Sequence, residues 1–330
     1  MVKSKDFFKG EFFIMNYLVT GGTGFLGSYL VRSLVDLKHD ITIVSTSIRD
    51  KTSLKALNVN LDKVNLVTGD VRDFDFLRKL FNEYEFDYVY HLGAISEVRK
   101  CQSDAKLAYD VNVGGTTNIL ECIRLYGNVK GVVVSSSDKA YGDGNVPYVE
   151  DQALNGRGVY EASKSCTDII ARSYYFNFDI PVVVTRCSNL YGGGDANFSR
   201  LIPNTIKRLI NNQSPIIWRG VKDSTRDFIY VEDAVSAYLS LMDNIDKTKG
   251  HAFNVGGNVI KSIEEVVLML IKKINSNIKV KYLEKDFPEI THQYLDSTKI
   301  TNVTNWKPRV DFDTGIDLTI NFYRKYYKND

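Results

Sequence analysis

NYLVTGGTGFLG, residues Asn16–Gly27, decides the reading of this chain. Tyr17, Leu18 and Val19 form a short apolar run that reads as a buried parallel strand. The run breaks into Gly21-Gly22-Thr23-Gly24-Phe25-Leu26-Gly27. After it, Leu30, Val31, Leu34 and Val35 recur at helical spacing. Strand, glycine turn and helix in that order is the setting a dinucleotide fingerprint requires. Gly21 would make the tight turn, Gly24 would let backbone approach a pyrophosphate, and Gly27 would let helix and strand pack closely. The phosphates would then meet the free N–H groups and positive dipole end of the helix. A glycine turn with no ligand is the plain alternative, and the residues downstream decide between the two.

The surrounding composition narrows the class. With 330 residues there is enough chain for one large or two modest domains. Lys+Arg total 42 and Asp+Glu 40, a net charge of +2 that points to neither nucleic acid nor a membrane surface. No run approaches the ~20 apolar residues of a membrane span. Cys101, Cys122, Cys166 and Cys187 are scattered and read as reduced core thiols of a cytoplasmic protein, and the dispersed histidines predict no metal site. Residues 1–14 lack the apolar core and cleavage site of a signal peptide and read as an N-terminal extension.

Downstream, strands alternate with helices. Ile41–Ser45, Val64–Thr68, Tyr88–Ala94, Gly131–Ser137 and Pro181–Cys187 are β-branched or apolar runs. The pattern predicts an α/β fold, a doubly wound parallel (Rossmann) sheet over residues 15–190. A smaller C-terminal α/β lobe over 191–330 would hold substrate, with some of its segments returning to the first domain. Helices are expected near Val111–Leu125, Ser199–Asn211, Glu232–Asp243, Ile263–Ile274 and Asp313–Tyr326, with short strands near Ile216, Phe253 and Val280.

The ends of the strands carry the candidate ligands. The second strand ends at Ser45, where an NAD enzyme of this fold usually has an acid for the ribose hydroxyls. Ser45, with Arg49 close by, suits a 2′-phosphate and favours NADP over NAD, unless Arg49 is only a solvated loop charge. After the third strand, Asp70 is placed to accept from adenine, with Val71 beside it, while Asp73 caps the next helix. Leu92 and Ala94 end the fourth strand where a nicotinamide ribose needs room. Tyr160 and Lys164, four residues apart, share a helix face and form a Tyr-x-x-x-Lys pair, with Ser137 upstream. A lysine ammonium one turn away, with a cationic nicotinamide ring, would lower the phenol's pKa and let Tyr160 take a proton from a sugar hydroxyl.

With these residues in place, the chain resembles the extended branch of the short-chain dehydrogenase/reductase family, the sugar-nucleotide epimerases and dehydratases. The resemblance runs from about Asn16 to the C-terminus through GGTGFLG, GDVRD, YHLGA, the Asn112 helix, SSSDKAYG, YEASK, RCSNLYG and RDFIYVEDA. It implies that Ser137 hydrogen-bonds the reacting C4 hydroxyl. Family epimerases lack an acid just after that residue, whereas 4,6-dehydratases carry Asp-Glu or, in one subgroup, Asp-Lys. Asp138-Lys139 is similar to the subgroup that contains CDP-glucose 4,6-dehydratase, as are the GGGD, RLIP and QYLDSTK stretches.

The resemblance therefore implies an NAD(P)-dependent nucleotide-sugar 4,6-dehydratase, with an epimerase or 4-ketoreductase as the alternative reading. Thr23, Phe25 and Leu26 join the glycines at the cofactor, and Ser96, Asn189, Arg200 and Arg226 fall to the nucleotide sugar. A homodimer is expected, built from the Val111–Leu125 and Tyr160–Tyr175 helices. A binding protein that keeps the fold without turnover is disfavoured by the intact Ser137, Tyr160 and Lys164.

Overall fold

The computed structural model describes residues 14–47, 53–284 and 290–327. Seven strands form its main sheet: β1 (Asn16–Thr20), β2 (Asp40–Ser45), β3 (Val64–Thr68), β4 (Tyr88–His91), β5 (Gly131–Ser135), β6 (Val182–Cys187) and β10 (Ala252–Val255). Their order is β10-β6-β5-β4-β1-β2-β3, and every neighbouring pair is parallel. Helices cover both faces, so strands such as Val132-Val133-Val134 are fully buried and read as continuous apolar runs rather than alternating ones. The chain reverses its order between β1 and β4, where a doubly wound sheet opens a crevice at the carboxyl ends of its strands.

The remaining strands build a smaller unit at those ends. β9 (Thr225–Tyr230) pairs with β7 (Asn189–Tyr191), β11 (Ile260–Ser262) and β13 (His292–Gln293), while β8 (Ile216–Trp218) pairs with β12 (Lys281–Leu283). The strand expected near Phe253 is β10. It belongs to the main sheet, in register with β6, so the chain returns to the first layer after leaving it.

Most helices fall within a residue or two of expectation. The exception is Val111–Leu125, which begins earlier: Ala105–Tyr109 runs through a single π turn over Asp110–Gly114 into Gly115–Tyr126 without a break. That turn places Asn112, 1% exposed, where its amide exchanges hydrogen bonds with the Ile95 backbone and donates to Ser163 Oγ (2.9 Å). It ties the loop after β4 to the long helix Val159–Phe178. Cys101, Cys122 and Cys187 are buried thiols, but Cys166 is exposed on that helix, a correction to its reading as a core residue. No helix among the described residues is long and apolar enough to cross a membrane.

Candidate active site

A cleft of about 860 Å³ runs over the carboxyl ends of β1, β4, β5 and β6. Its floor at one end is the glycine turn. Gly21 takes φ +71°, and its N–H donates to the Val44 carbonyl (3.2 Å). A Cβ on Gly27 would lie 2.2 Å from the Gly21 carbonyl oxygen, so only glycine lets the helix Phe25–Asp36 start this close to the strand. That helix begins at Gly24 with no side-chain cap and no acid in its first turn, leaving its N-terminal N–H groups turned to the cleft. Thr23 Oγ1 and Ser45 Oγ lie 3.0 Å apart at the side of this cradle.

The residues present fit a nicotinamide dinucleotide: uncapped helix amides for phosphate, no Cβ in the way, and small residues at the ends of β4 and β5 for a ring and its ribose. Thr23, Phe25, Leu26, Leu92 and Ala94 all line the cleft. Asp70 and Val71 do not. The Asp70 carboxylate is held by the Arg72 backbone N–H (2.9 Å) and guanidinium (2.6 Å), which keep it below the usual carboxylate range. Val71 is packed in the core beneath β3's end. Asp70 stays partly exposed with acceptor capacity to spare, and Asp73 caps its helix as expected, accepting from Phe76 N–H. Arg49 lies outside the described residues.

The other end of the cleft is a serine turn. After the buried valines of β5, Ser136 and Ser137 stay extended. Ser137 then caps a single 3-10 turn, its Oγ accepting from the Lys139 N–H (3.2 Å) and donating to Asp138 Oδ1 (3.0 Å). Asp138 is 3% exposed, and its Oδ2 has no hydrogen-bond partner among the described residues. Burial raises its pKa above the ordinary carboxyl value, opposed by the nearby Lys139 and Arg226 charges. Lys139 donates from Nζ to the side-chain oxygen of Gln293 (3.2 Å).

The turn is braced from behind. Arg186, 1% exposed, makes a bidentate pair with buried Asp168 (2.7 and 3.1 Å) and donates to the Tyr141 hydroxyl (2.7 Å), which donates in turn to Asn254 Oδ1. Breaking a buried pair of this kind from one side costs about 3–5 kcal/mol.

Tyr160 and Lys164 enter from the helix Val159–Phe178 and both line the cleft. Burial pushes the Tyr160 phenol up to about 12, the Ser137 hydroxyl pulling it part of the way back. Burial likewise brings the Lys164 amine down to about 8. Lys164 Nζ donates to the Ser135 carbonyl (2.7 Å). Desolvation, not the lysine charge, dominates both groups here.

Of the residues expected at the sugar nucleotide, Ser96, Asn189 and Arg200 line the cleft. Arg200 pairs with buried Asp195 (3.0 Å) and reaches Ser96 Oγ (3.4 Å) across the mouth. Arg226 lies behind the lining, 6% exposed, donating to the Thr225 carbonyl (2.8 Å). The burial of Asp227 beside it escaped the sequence reading, which offers Asp227 only as a salt-bridge partner for Arg226. Asp227 is fully buried, its Oδ1 accepts from the Gly257 and Val259 N–H groups (both 3.2 Å), and burial pushes its pKa up to about 7. Gln293 was visible only as part of QYLDSTK, with no signal of its own.

A family model described as GDP-mannose 4,6 dehydratase matches residues 18–319. The chain belongs to that family. It is 30% identical to UDP-N-acetyl-alpha-D-glucosaminuronate decarboxylase of Bacillus cytotoxicus, covering 93% of this chain and 97% of that one. It is also 30% identical to dTDP-D-glucose 4,6-dehydratase of Mus musculus, covering 96% and 91%. A solved structure of UDP-glucuronic acid 4-epimerase from Bacillus cereus, in complex with UDP-glucuronic acid and NAD, matches at 25% identity and a TM-score of 0.84, covering 95% of this chain and 100% of that one. The protein is thus an NAD(P)-dependent enzyme of the nucleotide-sugar dehydratase and epimerase family. Its relatives divide among decarboxylation, dehydration and epimerisation, so membership alone does not name the reaction.

Proposed function

We propose that the chain is a nucleotide-sugar 4,6-dehydratase that converts an NDP-hexose to an NDP-4-keto-6-deoxyhexose and water. The observation that carries this reading is Asp138-Lys139 directly after Ser137, with Asp138 buried, raised in pKa and unpaired at Oδ2. An epimerase has no use for that pair.

NAD(P) held at the Gly21–Gly27 turn would supply a hydride acceptor for C4 and a hydride donor for C6. Tyr160 would take the C4 hydroxyl proton once the cationic ring of the bound cofactor offsets the burial that raises its phenol, with Ser137 orienting that hydroxyl. The new C4 carbonyl acidifies C5. Lys139 in its neutral form would take the C5 proton at Nζ, the C5–H electrons forming the enolate, and C6–O would break as protonated Asp138 gives its proton to the leaving oxygen. The proton on Lys139 goes back to C5 when C6 is reduced, and the proton held by Tyr160 passes through the Ser137 hydroxyl to Asp138, restoring both groups. Phosphates and nucleotide fall to Asn189, Arg200 and Arg226, arginine offering a bidentate fork to phosphate.

Asp138→Asn keeps the shape and removes the acid. Oxidation at C4 should survive while C6–O cleavage slows by about 10²–10⁴-fold, so a single turnover should accumulate the near-ultraviolet absorbance of reduced nicotinamide. Wild-type-like turnover in this variant would move the 4-epimerase or 4-ketoreductase reading ahead.

The same reading includes NADP as the preferred cofactor, because β2 ends at Ser45 with no carboxylate through Ser47, and a cytoplasmic homodimer. Support for the dimer comes from Ile169 (55% exposed) and Phe176 (69% exposed), seven residues apart on one face of Val159–Phe178, beside exposed Leu125 on the neighbouring helix. Light scattering showing only particles near the 37.4 kDa chain mass would overturn the dimer.

A further inference from the structure

We propose that Gln293 is a positioning residue: its side-chain carbonyl holds the Lys139 amine on line with C5. The proposal rests on the 4,6-dehydratase reading and adds a residue to it from the C-terminal unit, 154 positions away in sequence.

Lys139 is half-buried at the rim of the 3-10 turn, and its flexible four-carbon stem gives Nζ no position of its own. Among the described residues the one side-chain acceptor it meets is Gln293 Oε1, at 3.2 Å. That acceptor is fixed. Gln293 is 0% exposed, and its Nε2 is buried without a partner among the described residues, so the contact to Lys139 is the one the amide makes. With Lys139 protonated the orientation follows from the lysine, since a turned amide would set two donors against each other.

The backbone that carries Gln293 is clamped from both sides. On one side β13 pairs with β9, Gln293 opposite Arg226. On the other, Tyr148 N–H donates to the Tyr294 carbonyl (2.9 Å) and Asp296 N–H to the Tyr148 carbonyl (2.9 Å). Tyr148 stacks on Tyr141, the last residue of the turn that contains Lys139. One strand pair therefore carries both the arginine assigned to phosphate and the amide that aims the lysine. An oxygen held this way fixes a proton acceptor without touching substrate.

The test uses the whole enzyme with bound cofactor and whichever member of a CDP-, GDP-, UDP- and dTDP-hexose panel the wild type converts. Gln293→Met removes the acceptor at constant volume. Gln293→Asn keeps the amide and withdraws the carbonyl by one methylene. In single turnovers both variants should oxidise C4 at the wild-type rate and melt at the wild-type temperature. Deuterium uptake at C5 from heavy water should fall by roughly 10²-fold, the cost of a ~1 Å misplacement.

Adding Gln293→Met to Lys139→Met should cause no further loss, because the amide acts only through the lysine. Equal slowing of oxidation and C5 exchange, additivity with Lys139→Met, or unchanged exchange would each overturn the proposal and leave the dehydratase reading standing. Wild-type enzyme that converts a panel member without C5 exchange would overturn both.

Discussion

Two turns at the same edge of one sheet do their work by opposite means. The turn after β1 acts through backbone: a left-handed Gly21, a helix start with no cap, and a Gly27 that no side chain can replace. The turn after β5 acts through side chains: Ser137, Asp138 and Lys139 are each held by a specific hydrogen bond or by burial, with partners drawn from 1 to 154 residues away. A backbone device tolerates no added atom but needs few partners. A side-chain device tolerates similar shapes but fails when one chemical group changes.

The sharpest way to break this contrast is at Gly27. Gly27→Val puts a branched side chain where a single Cβ already meets the Gly21 carbonyl at 2.2 Å. Overpacking of this kind costs about 1–3 kcal/mol or more and pushes the helix off the cradle. Calorimetry should show dinucleotide binding lost, and activity with it. A variant that binds cofactor normally would remove the backbone account.

At the other turn, Tyr160→Phe changes one oxygen and leaves the packing. Rates of cofactor reduction and of product formation should fall together, by about 10²–10⁴-fold, with folding unaffected by circular dichroism. A variant that still reduces cofactor at the wild-type rate would show that another group takes the C4 proton.

Asp227 tests the buried side chains behind both turns. Burial raises its pKa from 3.8 to about 7. Between those values the folded chain keeps a proton that the unfolded chain has released, so its contribution to stability is present at low pH and lost as pH rises through about 7. Asp227→Asn cannot titrate. On going from about pH 5 to about pH 8, wild type should lose a few kcal/mol more stability than the variant in thermal or denaturant melts. Parallel curves would mean that Asp227 is ionised throughout.

The smallest effect is expected at the rim of the cradle. Ser45→Asp sets a carboxylate where a 2′-phosphate would lie, beside Thr23 Oγ1. Relative affinity, measured by titration of cofactor-free protein, should move toward NAD by about 10-fold. Tighter NAD binding in the wild type would reverse the reading of Ser45.

The contrast also explains what could be read from sequence. A backbone device is local, so NYLVTGGTGFLG carried the strand, the turn, the helix and the cradle within twelve letters. The alternating strands and Tyr160–Lys164 were legible for the same reason, being set by short spacings. β13 is two residues long and gave no periodicity, so Gln293 could not be placed beside Lys139. β9 was quoted as a motif yet missed as a strand, and with it the burial of Asp227. Asp70 was assigned by position alone, and its ion pair with Arg72 two residues on was not foreseen. The direction of the Tyr160 shift needed a burial that no spacing reports.

The central claim is the elimination across C5 and C6, and proton NMR of the product tests it most directly. Enzyme with bound cofactor is incubated with CDP-, GDP-, UDP- and dTDP-hexoses. The account predicts that one of them yields a new C6 methyl signal and a C4 ketone, with no net build-up of reduced cofactor. A product that keeps its C6 hydroxymethyl group and differs only in configuration at C4 would contradict it.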